Sequence, residues 1–303
     1  MSSYLLLCLR IYCLAYLLFK VFLNSLAHAN VITIKTPPPR SSFDVSHDYH
    51  IKLLSHALTY SAPKQSIEFV QSVPMSQGRA EAELIKGKSL DVYWFGTNTE
   101  IEQKLRAIKI PTTRGLIGFR KLLINKDLKS KFDHVTSLDD LKVFIACQGA
   151  HWPDTKILTR AGIAVTTSTS YENLFRMTSL GRCDYFPRGY HDAINELQIR
   201  KESYPSLMSY QRILLHYPFA VYFFTNKEKS NLANLIESGL IKMANNGEIL
   251  KLMKSHPLTQ SIFPIKSETK SLYLPINNPY IDEVNVENNQ YWFTPDDFDI
   301  NRP

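Results

Sequence analysis

Cysteine, glycine and tryptophan are scarce in this sequence, with 4 Cys, 11 Gly and 3 Trp among 303 residues. The cysteines stand at positions 8, 13, 147 and 183 and form no C-x-x-C pair, which excludes a paired-Cys zinc site. The glycines build neither a phosphate-cradling loop nor a Gly-x-Ser-x-Gly elbow, so the common nucleotide-binding and hydrolase signatures are missing. No block of like charge occurs either. The 35 basic and 28 acidic residues leave a net charge of +7 scattered along the chain, which argues against nucleic acid as a partner. His47 and His50 lie three apart on one helical face without a third residue at ligand spacing, so no metal and no cofactor are expected. The remainder is close to globular averages, at 44% hydrophobic and 21% charged residues. A chain of this length is expected to form one large or two medium units, and two lobes fit best.

The first thirty residues depart from that average. Leu5 to Leu26 is apolar apart from Arg10, Lys20 and a few small polar residues, and it ends in Ala27-His28-Ala29, an A-x-A cleavage pattern. The competing reading is an uncleaved anchor. Arg10 and Lys20 count against it, because a charge near the middle of a spanning helix costs about 2.5–3.5 kcal/mol. The sequence therefore predicts a signal peptide over 1–29 and a periplasmic mature chain of net charge +5, from 33 bases and 28 acids. That chain keeps only Cys147 and Cys183. An oxidising compartment invites a disulfide, but Cys147 ends one expected strand whereas Cys183 precedes another. A four-residue offset at about 3.3 Å per residue exceeds the roughly 7 Å Cα limit, so two buried thiols are expected.

Along the mature chain, Val31 to Thr36 reads as a buried strand, and Pro37-Pro38-Pro39 forces an extended loop at its carboxyl end. A helix over 47–60, a strand over 66–73, a helix over 77–85 closed by Gly87 and a strand over 90–95 follow. A breaker-rich crossing at 111–118 leads to a second unit. It contains strands at 119–125, 143–147, 163–166 and 184–186, with helices at 154–160, capped by Asp154, and 171–180. A second crossing at 215–221 returns the chain to a strand ending at Thr225 and to helices over 232–245 and 248–254. The expected object is an α/β protein of two lobes with central sheets joined by a two-strand hinge. The first lobe spans 30–114 and is completed by 219–264, the second spans 115–218, and 265–303 is an extension packing on the first lobe.

Three segments resemble the family 3 extracellular solute-binding proteins, the group of amino-acid receptors of ABC transporters. They are Gly181-Arg182-Cys183-Asp184, Tyr217 to Phe224 followed by Asn226-Lys227, and Leu232 to Gly247. The resemblance covers about residues 30–260. It implies a periplasmic binding protein fold of type 2, without catalysis, whose lobes close on a small-molecule ligand. The implied partner is an ABC permease or a membrane sensor, with the protein itself a monomer. In that family an Arg after the third strand holds the ligand carboxylate, and an acid after the second-lobe strand takes its ammonium. This chain reads Gly96-Thr97-Asn98 and Pro187-Arg188-Gly189 at those places, which puts an ordinary amino acid in doubt.

Ligands of open α/β sheets sit beyond the carboxyl ends of the strands. The candidate residues there are Arg40, Trp94, Thr97, Trp152, Asp154, Thr155 and Arg188, with Arg114 in the hinge. An Arg fork suits a carboxylate or phosphate, a Trp offers a flat apolar face, and Thr155 stands where a helix N-terminus favours an anion. Each has a structural alternative: Arg188 pairing with Glu196, Trp94 in the core, Asp154 as a helix cap, Arg114 in solvent. The function expected is binding of a small polar or anionic solute, amino-acid-like or a carboxylate, for an ABC-type transporter. The alternatives are a sensory accessory protein and a periplasmic lyase or dehydratase on the same scaffold.

Overall fold

The computed structural model describes residues 31–281 and 290–300, so the expected signal peptide lies outside the described residues. Strand β1 (Val31–Thr36) leads through the proline loop to helix α1 (Val45–Ser61), which buries Tyr49, Leu53, Leu54, Ala57 and Leu58 along one stripe. β2 (Ser66–Gln71) lies parallel to β1, with Val31 opposite Ser66 and Thr36 opposite Gln71. Helix α2 (Gln77–Lys86) ends on Gly87, whose φ of +67° suits a residue without a Cβ. β3 (Val92–Gly96), α3 (Thr99–Lys104) and β4 (Arg106–Ile108) complete the first passage. Asp91 joins β1 to β3: its N–H donates to the Lys35 carbonyl at 2.8 Å, and its carboxylate accepts from the Lys35 N–H at 2.7 Å.

After the first crossing come β5 (Phe119–Asn125), α4 (Lys129–Phe132), α5 (Leu138–Lys142), β6 (Ala146–Gly149), α6 (Pro153–Arg160) and β7 (Val165–Ser168). They are followed by α7 (Tyr171–Ser179), β8 (Tyr185–Gly189), α8 (Asp192–Ile199) and β9 (Leu207–His216). β5 runs antiparallel to β8 and β9, while β6 is parallel to β7 and β8. Alternation along β5 sends Leu122 and Ile124 into one core and Leu123 into another on the opposite face. The second crossing then delivers β10 (Val221–Thr225) between β3 and β4, antiparallel to both. Helices α9 (Ser230–Asn245) and α10 (Glu248–Ser255) close the first lobe. α9 packs directly on α1 at Gly239, where an added Cβ would lie 1.9 Å from the Ala57 carbonyl oxygen. The architecture is two α/β lobes, and no helix among the described residues is long and apolar enough to cross a membrane.

Two expectations need correction. The extension does not pack on the first lobe alone. Its strand β11 (Leu272–Pro275) lies parallel to β9 at the edge of the second-lobe sheet. Glu268 accepts from Lys121 Nζ at 2.7 Å and from Tyr190 OH at 2.6 Å, both residues of the second lobe. The chain then returns, with Phe293 N–H donating to the Arg114 carbonyl at 2.7 Å and Phe293, Phe298 and Ile300 entering the first-lobe core. Residues 265–281 and 290–300 thus strap the back of both crossings.

The second correction concerns the cysteines, which form a disulfide with Cα atoms 5.6 Å apart. The strand-offset argument fails because 182–184 is a bend, not an extension of β8. Arg182 N–H donates to the Met177 carbonyl at 2.9 Å and Asp184 N–H to the Ile145 carbonyl at 2.8 Å, which folds Cys183 in beside β6.

Two stability measurements follow from these contacts. Unfolded, unreduced protein of residues 30–303 should show no reactive thiol, and Cys183→Ser should lower the unfolding free energy by about 2–4 kcal/mol in a denaturant titration. Glu268→Gln leaves Lys121 buried without its counter-charge, and about 3–5 kcal/mol of stability should be lost. A midpoint unchanged from wild type would show that the strap does not need this ion pair.

Candidate functional site

The two lobes face each other across a cavity of about 90 Å³. From the first lobe, the proline loop after β1 brings Arg40, and α1 brings Asp44, which precedes it, together with His47 and His50. Arg40 donates from Nε and Nη2 to the two Asp44 oxygens, each at 2.8 Å, and its Cζ lies 4.5 Å from the Tyr171 ring centre across the cleft. Burial pushes the Asp44 carboxyl up, but the charge and hydrogen bonds of Arg40 outweigh it and hold it well below the usual carboxylate range. His50 Nδ1 donates to the Ser46 carbonyl at 2.7 Å, and its ring stacks on Trp94 with centres 5.1 Å apart. Burial lowers its pKa from 6.5 to about 3, so the ring is neutral.

The second lobe contributes two buried arginines. Arg120 on β5 is 1% exposed. Its Nη2 donates to Asp154 Oδ1, which also accepts from Tyr217 OH at 2.6 Å. Its Cζ lies 5.1 Å from the Tyr217 ring centre and 5.4 Å from that of Phe219. Arg120 Nε has no hydrogen-bond partner among the described residues. Arg188 on β8, in contrast, is clamped by Glu196, which accepts from Nε at 2.6 Å and Nη2 at 2.7 Å. Burial opposes the Arg188 charge, and the Glu196 carboxylate more than offsets it, so the guanidinium stays ionised. Next to it His191 is buried and held below its ordinary pKa by that burial, with Nδ1 unpartnered among the described residues.

The electrostatics of the cleft are therefore compensated. Arg40, Arg120 and Arg188 each face an acid, and Asp154 and Asp192 sit in the first turns of α6 and α8, where the helix dipole favours them. Among the described residues no cluster of His, Cys, Asp and Glu fits a metal ion. The arrangement can hydrogen-bond an anionic group at Arg120 and enclose an apolar body between Trp94, Trp152 and Phe219.

Of the residues singled out from sequence, Arg40, Trp94, Trp152, Asp154 and Arg188 line this cavity and Thr97, Arg114 and Thr155 do not. Thr97 is fully buried and donates to Glu102 at 2.6 Å. Arg114 lies over the Phe293 ring at 4.8 Å, on the strap side of the hinge. Thr155 gives its hydroxyl to the Gly149 carbonyl at 3.0 Å and its N–H to the Trp152 carbonyl at 3.1 Å, which leaves neither donor for an anion. Asp154 does not cap α6; its carboxylate reaches back to β5 instead. The pairing of Arg188 with Glu196 is the structural alternative that the sequence offered. Arg120, His50 and His191 were missed. Arg120 had a visible signal, since Arg120 and Lys121 interrupt the apolar run from Phe119 to Ile124, and charges there must be buried with partners.

No family model matches the sequence, and no curated protein matches it. Its fold, however, matches solved structures. One is an ancestral arginine-binding protein bound to arginine, 17% identical over 76% of this chain and 99% of that one, with a TM-score of 0.54. Another is a histidine kinase sensor domain with similarity to periplasmic binding proteins, 14% identical over 75% and 96%, with a TM-score of 0.55. A third is the substrate-binding protein of an amino acid ABC transporter, 13% identical over 75% and 99%, with a TM-score of 0.51. The chain thus has the type 2 periplasmic binding protein fold. Its structural neighbours are of the kind that its sequence resembles, and they are spanned almost completely while about a quarter of this chain lies outside the match.

The buried histidines give stability a definite pH dependence. The unfolded chain protonates His50 near pH 6.5 and the fold does so only near 3. Stability is therefore full above pH 6.5 and declines as the pH falls towards 3, by about 1.4 kcal/mol per unit at most. His191, depressed in the same direction, adds to the decline. Denaturant titrations between pH 7.5 and 4.5 should show a shallower slope for His50→Phe than for wild type; identical slopes would contradict the neutral buried imidazole.

Proposed function

We propose that this protein is a periplasmic solute-binding protein whose two lobes close on a small anionic or zwitterionic solute and present it to an ABC-type permease. The observation that carries the reading is Arg120, a buried guanidinium on the cavity wall that Asp154 holds. A second donor to Asp154, the Tyr217 hydroxyl, holds that carboxylate in place so that the fork keeps one orientation. In this reading Arg40, Trp94 and Trp152 wall the solute, Asp154 orients Arg120, and Arg188 orients Trp152 from 5.2 Å. The lobes are divided at 30–114 with 219–264 and at 115–218, and they move about the crossings at 111–118 and 215–221.

Export is supported by the Ala27-His28-Ala29 pattern and by the Cys147–Cys183 disulfide, a bond typical of oxidising compartments. Presentation to a membrane sensor is the second reading, favoured by the likeness to a histidine kinase sensor domain. Both readings need the same binding event.

Thermal-shift screening of L-amino acids, monocarboxylates, phosphate and sulfate against protein freed of ligand tests that event. A specific solute at 100 times its dissociation constant should stabilise the fold by about 2.7 kcal/mol. Arg120→Lys keeps the charge facing Asp154 but loses the planar fork, and it should weaken the solute found by about tenfold or more. Stabilisation by none of these solutes, or equal affinity in Arg120→Lys, would refute the assignment.

A further inference from the structure

The cleft holds a second cavity of about 370 Å³, bounded by the loops that open α2 and α7. Four residues line both cavities: Arg40, Gln77, Tyr93 and Trp152. The first three come from the first lobe and Trp152 from the second, so the wall between the cavities is assembled where the lobes meet. Gln77 reaches across that line, donating from Nε2 to the His151 carbonyl at 3.3 Å.

Trp152 is held rigidly for a residue at the start of a helix. Its indole lies against Gly149, where an added Cβ would come within 2.4 Å of Cδ2. The Arg188 guanidinium is 5.2 Å from its ring centre, and Arg188 is itself fixed by Glu196. Phe186 stacks on it at 6.2 Å with 22° between the planes. An indole supported in this way cannot turn aside without disturbing a buried ion pair.

We propose that Trp152 is the specificity-determining residue of the cleft, a partition that limits the length of any solute anchored at Arg120. The inference rests on the Arg120 reading and goes beyond it by setting the size of the ligand. The 90 Å³ on the Arg120 side is about a quarter of the 370 Å³ beyond Trp152, so it suits short carboxylates, of two to about four carbons. A longer chain meets Trp152, although unused space lies beyond it.

Titration calorimetry on residues 30–303 tests this with two straight-chain series, acetate to octanoate and glycine to 2-aminooctanoate. Wild type should bind the two- to four-carbon members and lose about tenfold or more in affinity by six carbons, the cost expected of overfilling a packed site. Trp152→Ala should bind the six- to eight-carbon members about tenfold or more tightly than wild type does, with Trp152→Phe intermediate in its cut-off. An unchanged length profile in both variants, or wild-type affinity that rises steadily with length, overturns the partition alone. Failure of every member to bind all three proteins overturns the partition together with the Arg120 reading beneath it.

Discussion

The rest of the cleft is built around the burial of the Arg120 charge. An ionised guanidinium removed from water is tolerated only with a counter-charge and hydrogen bonds, and here the network that supplies them joins three separate parts of the chain. Arg120 lies two residues beyond Gly118 at the end of the first crossing, Tyr217 lies in the second crossing, and Asp154 opens α6. One network therefore fixes both crossings to the second lobe. It also decides that Asp154 is not a helix cap, because the carboxylate is engaged in the interior.

The same principle recurs at Arg188 with Glu196, at Arg40 with Asp44 and at Lys121 with Glu268. Each pair joins different elements or closes a loop, and each leaves a buried or half-buried acid unable to protonate easily. A cleft rich in charge is thereby close to neutral overall. Arg120 Nε and His191 Nδ1 are buried atoms of this cleft without a hydrogen-bond partner among the described residues. The strap adds a third link from behind, through β11 on the second-lobe sheet and Phe293 bonded to Arg114.

Much of the fold was legible because its signals are local. Proline loops at 37–39, the glycine that ends α2 and the alternation in β5 predict elements within a few residues of where they form. Two second-lobe strands run later than the sequence suggests: β6 is expected over 143–147 and runs Ala146–Gly149, and β8 is expected over 184–186 and runs Tyr185–Gly189. Those shifts matter, since they place Arg188 inside a strand with its charge turned into the core. The disulfide was misjudged for a related reason, because the bend at 182–184 carries no proline and its geometry depends on the neighbouring β6.

The sequence by itself determined the two-lobe α/β architecture, which follows from periodicity and chain breakers. Tertiary structure alone decided that Arg120 pairs with Asp154, that Cys147 and Cys183 are joined, and that Thr97, Arg114 and Thr155 lie off the cavity. The physical reason is the range of the interactions. Hydrophobic spacing and backbone preference act within a turn or a strand, whereas a charge finds its partner across a sheet, up to 147 residues away for Lys121 and Glu268.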